Sequence, residues 1–273
     1  MSETFFRSTT QVTDSRATSM IRAARAASGA LVNLVLPPVC RLCNDPVNDG
    51  EDFCRSCELA LCHSRPTMRH RCPRCAMPRP SLGSPEAADC GHCREVSWSF
   101  DRIAALWAYR DRVCEAVVAA KYPHHAALGD ALGRRLAAVV VEECSDRMPD
   151  AVTFVPSYLT RRMSRGGTGT SVIASAVARQ IGRPCQALLR ANRPIAKQAW
   201  LDDDERKRNV QGAFSAKRRY AFSRSPEPRN RHILVVDDVL TTGATANEVA
   251  GVLLGTGVNR VSLAVVARAI RSR

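Results

Sequence analysis

Eight of the twelve cysteines in this 273-residue chain fall into four C-x-x-C pairs between residues 40 and 93, and nothing else in the sequence limits the fold as strongly. The first set is Cys40, Cys43, Cys54 and Cys57; the second is Cys72, Cys75, Cys90 and Cys93. One C-x-x-C knuckle brings two thiolates to an ion, and two knuckles complete a tetrahedron. This is metal spacing rather than a disulfide framework, and it predicts two structural Zn²⁺ with no open coordination position. Gly50 and Gly91 give flexible backbone within the module. The segment is poor in core residues, so metal binding would supply its folding energy. Sequential pairing of the knuckles is the simple arrangement, but a crossed one (first with third, second with fourth) has the same spacings. Cys62, His63, His70 and His92 read as incidental neighbours, and Cys114, Cys144 and Cys185 as small apolar packing residues. Thiols reserved for metal imply a reducing compartment, so the expected location is cytoplasmic.

The formal net charge of +14 suits polyanions, anionic lipid surfaces or phosphorylated small molecules. No apolar run reaches the roughly 18 residues of a membrane span, so an integral membrane protein is not expected. The stretch "GALVNLVLPP" lacks an A-x-A cleavage site and is not read as an export signal.

Residues 1–18 are polar and read as a disordered tail. Over 19–38, Met20, Ala23, Ala24, Ala27, Leu31, Leu34 and Val35 fit one helical face, read as packing on the protein itself, and Pro37–Pro38 ends the helix. The zinc module takes 39–97, and a second domain takes 98–273. There, strands at "RIAALWAY", "AVTFVP", "ILVVDD" and "RVSLAVVAR" alternate with helices at 112–120, 126–143, 170–180 and 244–255. That alternation is the pattern of an α/β parallel sheet with helices on its faces. Residues 216–231 carry six Lys or Arg against one acid and read as a basic mobile insertion.

The string "ILVVDDVLTTGAT" (233–245) places Asp237 and Asp238 at the end of a buried strand. Ligands of open parallel sheets bind beyond the carboxyl ends of strands. Carboxylates there accept hydrogen bonds from sugar hydroxyls or approach a Mg²⁺ shell. Thr241, Thr242, Gly243, Ala244 and Thr245 form a turn opening onto a helix N-terminus, a cradle for phosphate, and Gly243 lets backbone come close. A ribose 5′-phosphate satisfies both halves. The Walker pattern is absent.

"VVDDVLTTGAT" resembles the signature by which type I phosphoribosyltransferases bind phosphoribosyl pyrophosphate (PRPP). "LPPVCRLC", the cysteine pairs, "AAKY", "RRMSRGG", "KQAWLDDDERKRNVQGAF" and "ILVVDDVLTTGAT" occur in the order seen in ComF-like proteins, over about residues 31–268. These are double-zinc-ribbon phosphoribosyltransferase homologues associated with competence and DNA uptake. The resemblance implies a type I phosphoribosyltransferase-like sheet with helices on both faces. It implies PRPP or a nucleoside 5′-phosphate as ligand, with Mg²⁺. Asp237 and Asp238 would hold ribose hydroxyls and Mg²⁺, the 241–245 turn the 5′-phosphate, and Arg165 and Gly166 the pyrophosphate. Residues 190–212 match a flexible covering loop, in which Lys197 and Arg206 would neutralise the leaving pyrophosphate. Where the family usually shows "RGFNQ", this chain has Gly167, Thr168 and Gly169 after Arg165–Gly166, leaving amides, Arg161, Arg162 and Arg165 for phosphate. Three functions fit: a phosphoribosyltransferase; a catalytically inactive assembly or nucleotide-sensing factor in DNA uptake, partnered by recombination proteins; and a single-stranded DNA-binding module. Trp98, Trp107 and Trp200 read as core rather than base-stacking residues.

Overall fold

The structure, a computed structural model, describes residues 37–63, 65, 68, 70–79, 90–158, 169–194, 203–217 and 231–270. Its centre is a four-stranded parallel sheet of β1 (Ile103–Ala108), β2 (Ala151–Phe154), β5 (His232–Leu240) and β6 (Arg260–Arg268), in the order β1-β6-β5-β2. All six residues of β1 and eight of nine in β6 are buried, as expected of parallel strands covered on both faces. A small antiparallel pair, β3 (Leu189–Ala191) and β4 (Phe214–Ala216), lies apart from the main sheet.

Strand alternation divides the core. Leu106, Val152, Leu234, Val236, Ala264 and Val266 face α3 (Asp111–Ala119), α4 (Ala126–Glu143) and α5 (Gly169–Gln180). Ile103, Ile233, Val235, Val261 and Leu263 face α7 (Ala244–Leu254). The zinc module contributes to both sides. Cys40, Phe53, Cys57 and Leu61 join the first core, with α1 (Arg55–Cys62) packed on α3. Met68, Cys72, Cys75, Cys90 and Trp98 join the second, beside α2 (Gly91–Glu95). Ion pairs strengthen the first junction: Arg134–Asp52 at 2.6 Å and Arg135–Glu58 at 2.7 Å, with Arg135 lying 4.8 Å over the Phe53 ring. At the second, the Ile103 amide donates to the Pro73 carbonyl at 3.0 Å, and Arg71 pairs with Glu143. The sequence suggests a ribbon poor in core residues that depends on its metals to fold; here its side chains also complete the sheet's own cores.

Three expectations change in detail. The strand read as "ILVVDD" continues to Leu240, because β6 runs to Arg268 and goes on pairing with Val239 and Leu240. Part of the stretch read as a covering loop is ordered, as β3 and as α6 (Asp203–Val210). Cys185 is exposed rather than packed, whereas Cys144 is buried and Cys114 half-buried. The expected tail at 1–18, the expected helix as far as residue 36, and residues 218–230 of the basic insertion lie outside the described residues. No helix among the described residues is long and apolar enough to cross a membrane.

Helices α4 and α5 cross at Gly133. A Cβ there would lie 2.6 Å from both Ala176 Cβ and the Ile173 carbonyl oxygen. Gly133→Val is therefore expected to destabilise the fold by about 1–3 kcal/mol through overpacking, although Val ordinarily gains over Gly within a helix. A lower denaturation midpoint at unchanged zinc content is the expected reading; a wild-type midpoint would contradict the close crossing.

Candidate functional site

The first knuckle of each cysteine set is built from the same local device. Cys40 N–H donates to Asp45 O at 2.7 Å, and Asn44 N–H returns to Cys40 O at 3.0 Å. Cys72 N–H donates to Met77 O at 2.9 Å, and Ala76 N–H returns to Cys72 O at 2.8 Å. Asn44 and Ala76 take left-handed φ values of 64° and 56° to close these turns. In each set the four Sγ atoms lie within 4.8 Å of one another, grouped sequentially, so the crossed arrangement does not occur. Cys43–Cys54, Cys72–Cys93 and Cys75–Cys90 separate their sulfurs by 3.5, 3.7 and 3.6 Å. A tetrahedral ion with Zn–S of about 2.3 Å sets its sulfurs about 3.8 Å apart, so the residues fit structural zinc. A hydrogen bond from Cys75 pulls Cys72 down to about 4, and one from Ser56 pulls Cys54 down to about 6, so each set holds a ready thiolate.

The acid pair lies on β5 beyond the end of β2, whose last partner is Val236, while β6 still supports it. Alternation turns Asp238 toward the α3 side and Asp237 toward the α7 side. The Asp238 amide donates to Asp237 Oδ1 at 2.8 Å, and the Val239 amide to Asp238 Oδ1 at 2.7 Å. Burial, then the neighbouring Asp238 charge, push the Asp237 carboxyl well above its ordinary value of 3.8.

Lys121 supplies the missing cation. It occurs in the "AAKY" string, but nothing local in the sequence pairs it with an acid 117 positions away. Its Nζ lies 3.0 Å from Asp238 Oδ2. Burial lowers the Lys121 pKa, but the Asp238 charge, its hydrogen bond and the Asp237 charge outweigh this and hold it raised. Gly169, which stands where the family's "RGFNQ" ends in Gln, begins α5 beside Lys121, and a Cβ there would overlap the Ala120 carbonyl oxygen. At position 169 glycine thus fits the close approach of α5 to the end of α3, while Gly167 and Thr168 lie outside the described residues.

The turn leaves β5 at Thr241 and enters α7 through Gly243, at φ 87° and ψ 0°. The first-turn amides of α7 have no intrahelical acceptor; that of Ala244 lies 3.5 Å from Thr242 Oγ1. The open space expected at Gly243 is taken on one side by Trp98, since a Cβ at 243 would lie 2.7 Å from Trp98 Cη2. Arg268, 2% exposed, donates to the carbonyls of Leu240 and Thr241 beneath the turn. Asp237, Asp238 and Thr241–Thr245 are thus brought together. Arg165, Gly166 and Lys197 lie outside the described residues, as does the side chain of Arg206 in α6. Trp98 and Trp107 are buried at 6% and 1%, as core.

Residues 31–94 match the double zinc ribbon domain family, and residues 164–273 the phosphoribosyl transferase domain family. The chain is 27% identical over 238 residues to DNA utilization protein YhgH of Escherichia coli K12, covering 84% of this chain and 96% of that protein. It is 26% identical over 187 residues to Competence protein F of Haemophilus influenzae, covering 67% and 80%. The chain is homologous to these proteins: a double zinc ribbon joined to a phosphoribosyltransferase domain. Among solved structures it is similar to an allosteric regulatory enzyme of purine biosynthesis, at 20% identity and TM-score 0.33, over 50% of this chain and 26% of that one. The parallel sheet with helices on both faces and the cysteine-rich module agree with the fold expected from the sequence.

Two measurements check this geometry. Metal analysis of reduced protein is expected to give about two Zn²⁺ per chain; disulfides without zinc would contradict the sites. Asp237 has its pKa raised by folding, so it favours the fold below its ordinary pKa of 3.8 and loses that contribution as pH rises through the raised value. Without ligand, Asp237→Asn should therefore melt higher than wild type at pH 8 and show no such gain near pH 4. An equal difference at both pH values would contradict the assignment.

Proposed function

We propose that the strand–turn–helix Asp237–Thr245 binds the ribose 5-phosphate part of PRPP, and that the chain transfers this group to a nitrogen nucleophile in the handling of DNA or nucleotides. The observation that carries the reading is the acid pair leading directly into a left-handed glycine turn at a helix N-terminus, with Lys121 balancing one of the acids. The names of the relatives, a DNA utilization protein and a competence protein, support the cellular setting.

In the reaction, the bond from C1 of the ribose to pyrophosphate breaks and a C1–N bond forms, through a transition state with oxocarbenium character. The chain's contribution is positioning and charge. The α7 amides and the hydroxyls of Thr241, Thr242 and Thr245 would seat the 5′-phosphate. Asp237 and Asp238 would accept hydrogen bonds from the ribose hydroxyls, with Lys121 close enough to exchange Asp238 for a ligand oxygen. Arg165, Gly166, Lys197 and Arg206 would meet the pyrophosphate. Mg²⁺, held near the acid pair, would neutralise phosphate charge on the bound ligand. Two carboxylates beside a half-buried lysine offer the oxygen donors and the balancing charge that such an ion and a sugar diol require.

Calorimetric titration of the zinc-loaded full chain with PRPP and Mg²⁺ tests the binding. A charge-assisted hydrogen bond contributes about 1.5–3 kcal/mol, so Asp238→Asn is expected to raise Kd roughly tenfold or more. Wild-type affinity in an Asp237→Asn, Asp238→Asn double variant would reject the site. Pyrophosphate release across a panel of nitrogen bases tests transfer; binding without release for any base would leave a PRPP-binding protein without this activity.

A further inference from the structure

The phosphate turn and the second cysteine set are joined by contacts that the sheet itself does not require. Trp98 follows Cys93 by five residues and lies against Gly243 on the face where a side chain would otherwise sit. Its ring is held by His92, centroid to centroid at 5.6 Å, and by Phe100 at 5.0 Å, and His92 lies between ligands Cys90 and Cys93. One residue on, the Ser99 amide donates to Asn247 Oδ1 at 2.6 Å, in the first turn of α7.

Arg268 makes the second connection, from beneath. Its Nε donates to the carbonyl of Cys75 at 3.0 Å. Its Nη1 donates to Leu240 O at 3.0 Å, to Ala269 O at 2.9 Å and to Thr241 O. The turn thus rests on Trp98 and is anchored by Arg268, and both residues are fixed by the Cys72–Cys93 set. Four thiolates around one Zn²⁺ carry a net charge of about −2, which suits a buried guanidinium that remains cationic. Contacts of the first set run elsewhere: Arg112 Nη2 lies 3.7 Å from Cys57 Sγ, and Asp52 and Glu58 pair with arginines of α4.

We propose that the second zinc set is the positioning element of the phosphate turn. Trp98 and Arg268 act as positioning residues that hold Leu240–Thr245 in the shape that receives a phosphate. Loss of this one metal frees the turn and weakens ligand binding while the sheet stays folded; loss of the first metal does not. The ligand consequence rests on the PRPP reading above; the consequence for the turn does not.

Hydrogen exchange read by mass spectrometry on the full-length, ligand-free protein tests the turn directly. Cys93→Ser should carry one Zn²⁺ per chain and exchange amides in 240–247 about tenfold faster or more, with α4 unchanged. Cys54→Ser should also carry one Zn²⁺ and leave 240–247 as protected as in wild type. Trp98→Phe should keep both metals and still loosen 240–247, which guards against a Cys93→Ser protein that fails to fold. Unchanged protection in Trp98→Phe, or equal loosening by Cys54→Ser and Cys93→Ser, would overturn the proposal. PRPP affinity, titrated in parallel, should fall about tenfold in Cys93→Ser and Trp98→Phe and hold in Cys54→Ser. A loosened turn with unchanged PRPP affinity would uphold the coupling and reject the turn as the PRPP site.

Discussion

The guanidinium of Arg268 is the contact on which the arrangement of the molecule turns. It stands at the end of β6, the strand that enters last and lies between β1 and β5. From there it reaches the backbone of the second cysteine knuckle on one side and the last carbonyls of β5 on the other. A buried cation without acceptors is strongly destabilising, so Arg268 ties the knuckle and the end of β5 to β6. This explains why a ribbon of few apolar residues is built into the sheet's core rather than tethered beside it. The metal folds the knuckle, the knuckle supplies acceptors and charge to Arg268, and Arg268 fixes the strand end from which the turn departs.

The ligand-free acid pair is held in an unequal state. Asp238 is ion-paired with Lys121 at 3.0 Å, while burial and the Asp238 charge push the Asp237 carboxyl above its ordinary value. Two adjacent carboxylates on a buried strand lower stability, and such sites are where function and stability conflict. A ligand that brings hydroxyl donors and cationic charge would relieve both strains together.

Much of this was legible in the sequence wherever chemistry is local. The cysteine spacings named all eight ligands, because a tetrahedron needs two short knuckles and little else, but their sequential grouping into two sets came only from the fold. The strand, acid pair, threonines and glycine are contiguous, so their order read directly as strand, turn and helix. Relations between distant residues were not legible. Lys121 stood in a noted string, yet only the fold sets it beside Asp238. Trp98 read as core, which it is, but its partner is a glycine 145 residues away. Gly243 read as room for a ligand, whereas one side of that room holds an indole ring. Gly169 read only as a departure from the family's string, whereas the fold sets it against the Ala120 carbonyl, where a Cβ would overlap. The strands β3 and β4, three residues each, are too short to show any period.

The central claim is that the turn after Asp238 holds the phosphate of a phosphorylated ribose. A crystal structure of the zinc-loaded full chain with PRPP and Mg²⁺ measures this most directly. The expected result places 5′-phosphate oxygens about 2.7–3.2 Å from the amides of Gly243, Ala244 and Thr245, with ribose hydroxyls on Asp237 and Asp238. Ligand bound at full occupancy elsewhere, with the turn bare and the Lys121–Asp238 pair intact, would contradict it.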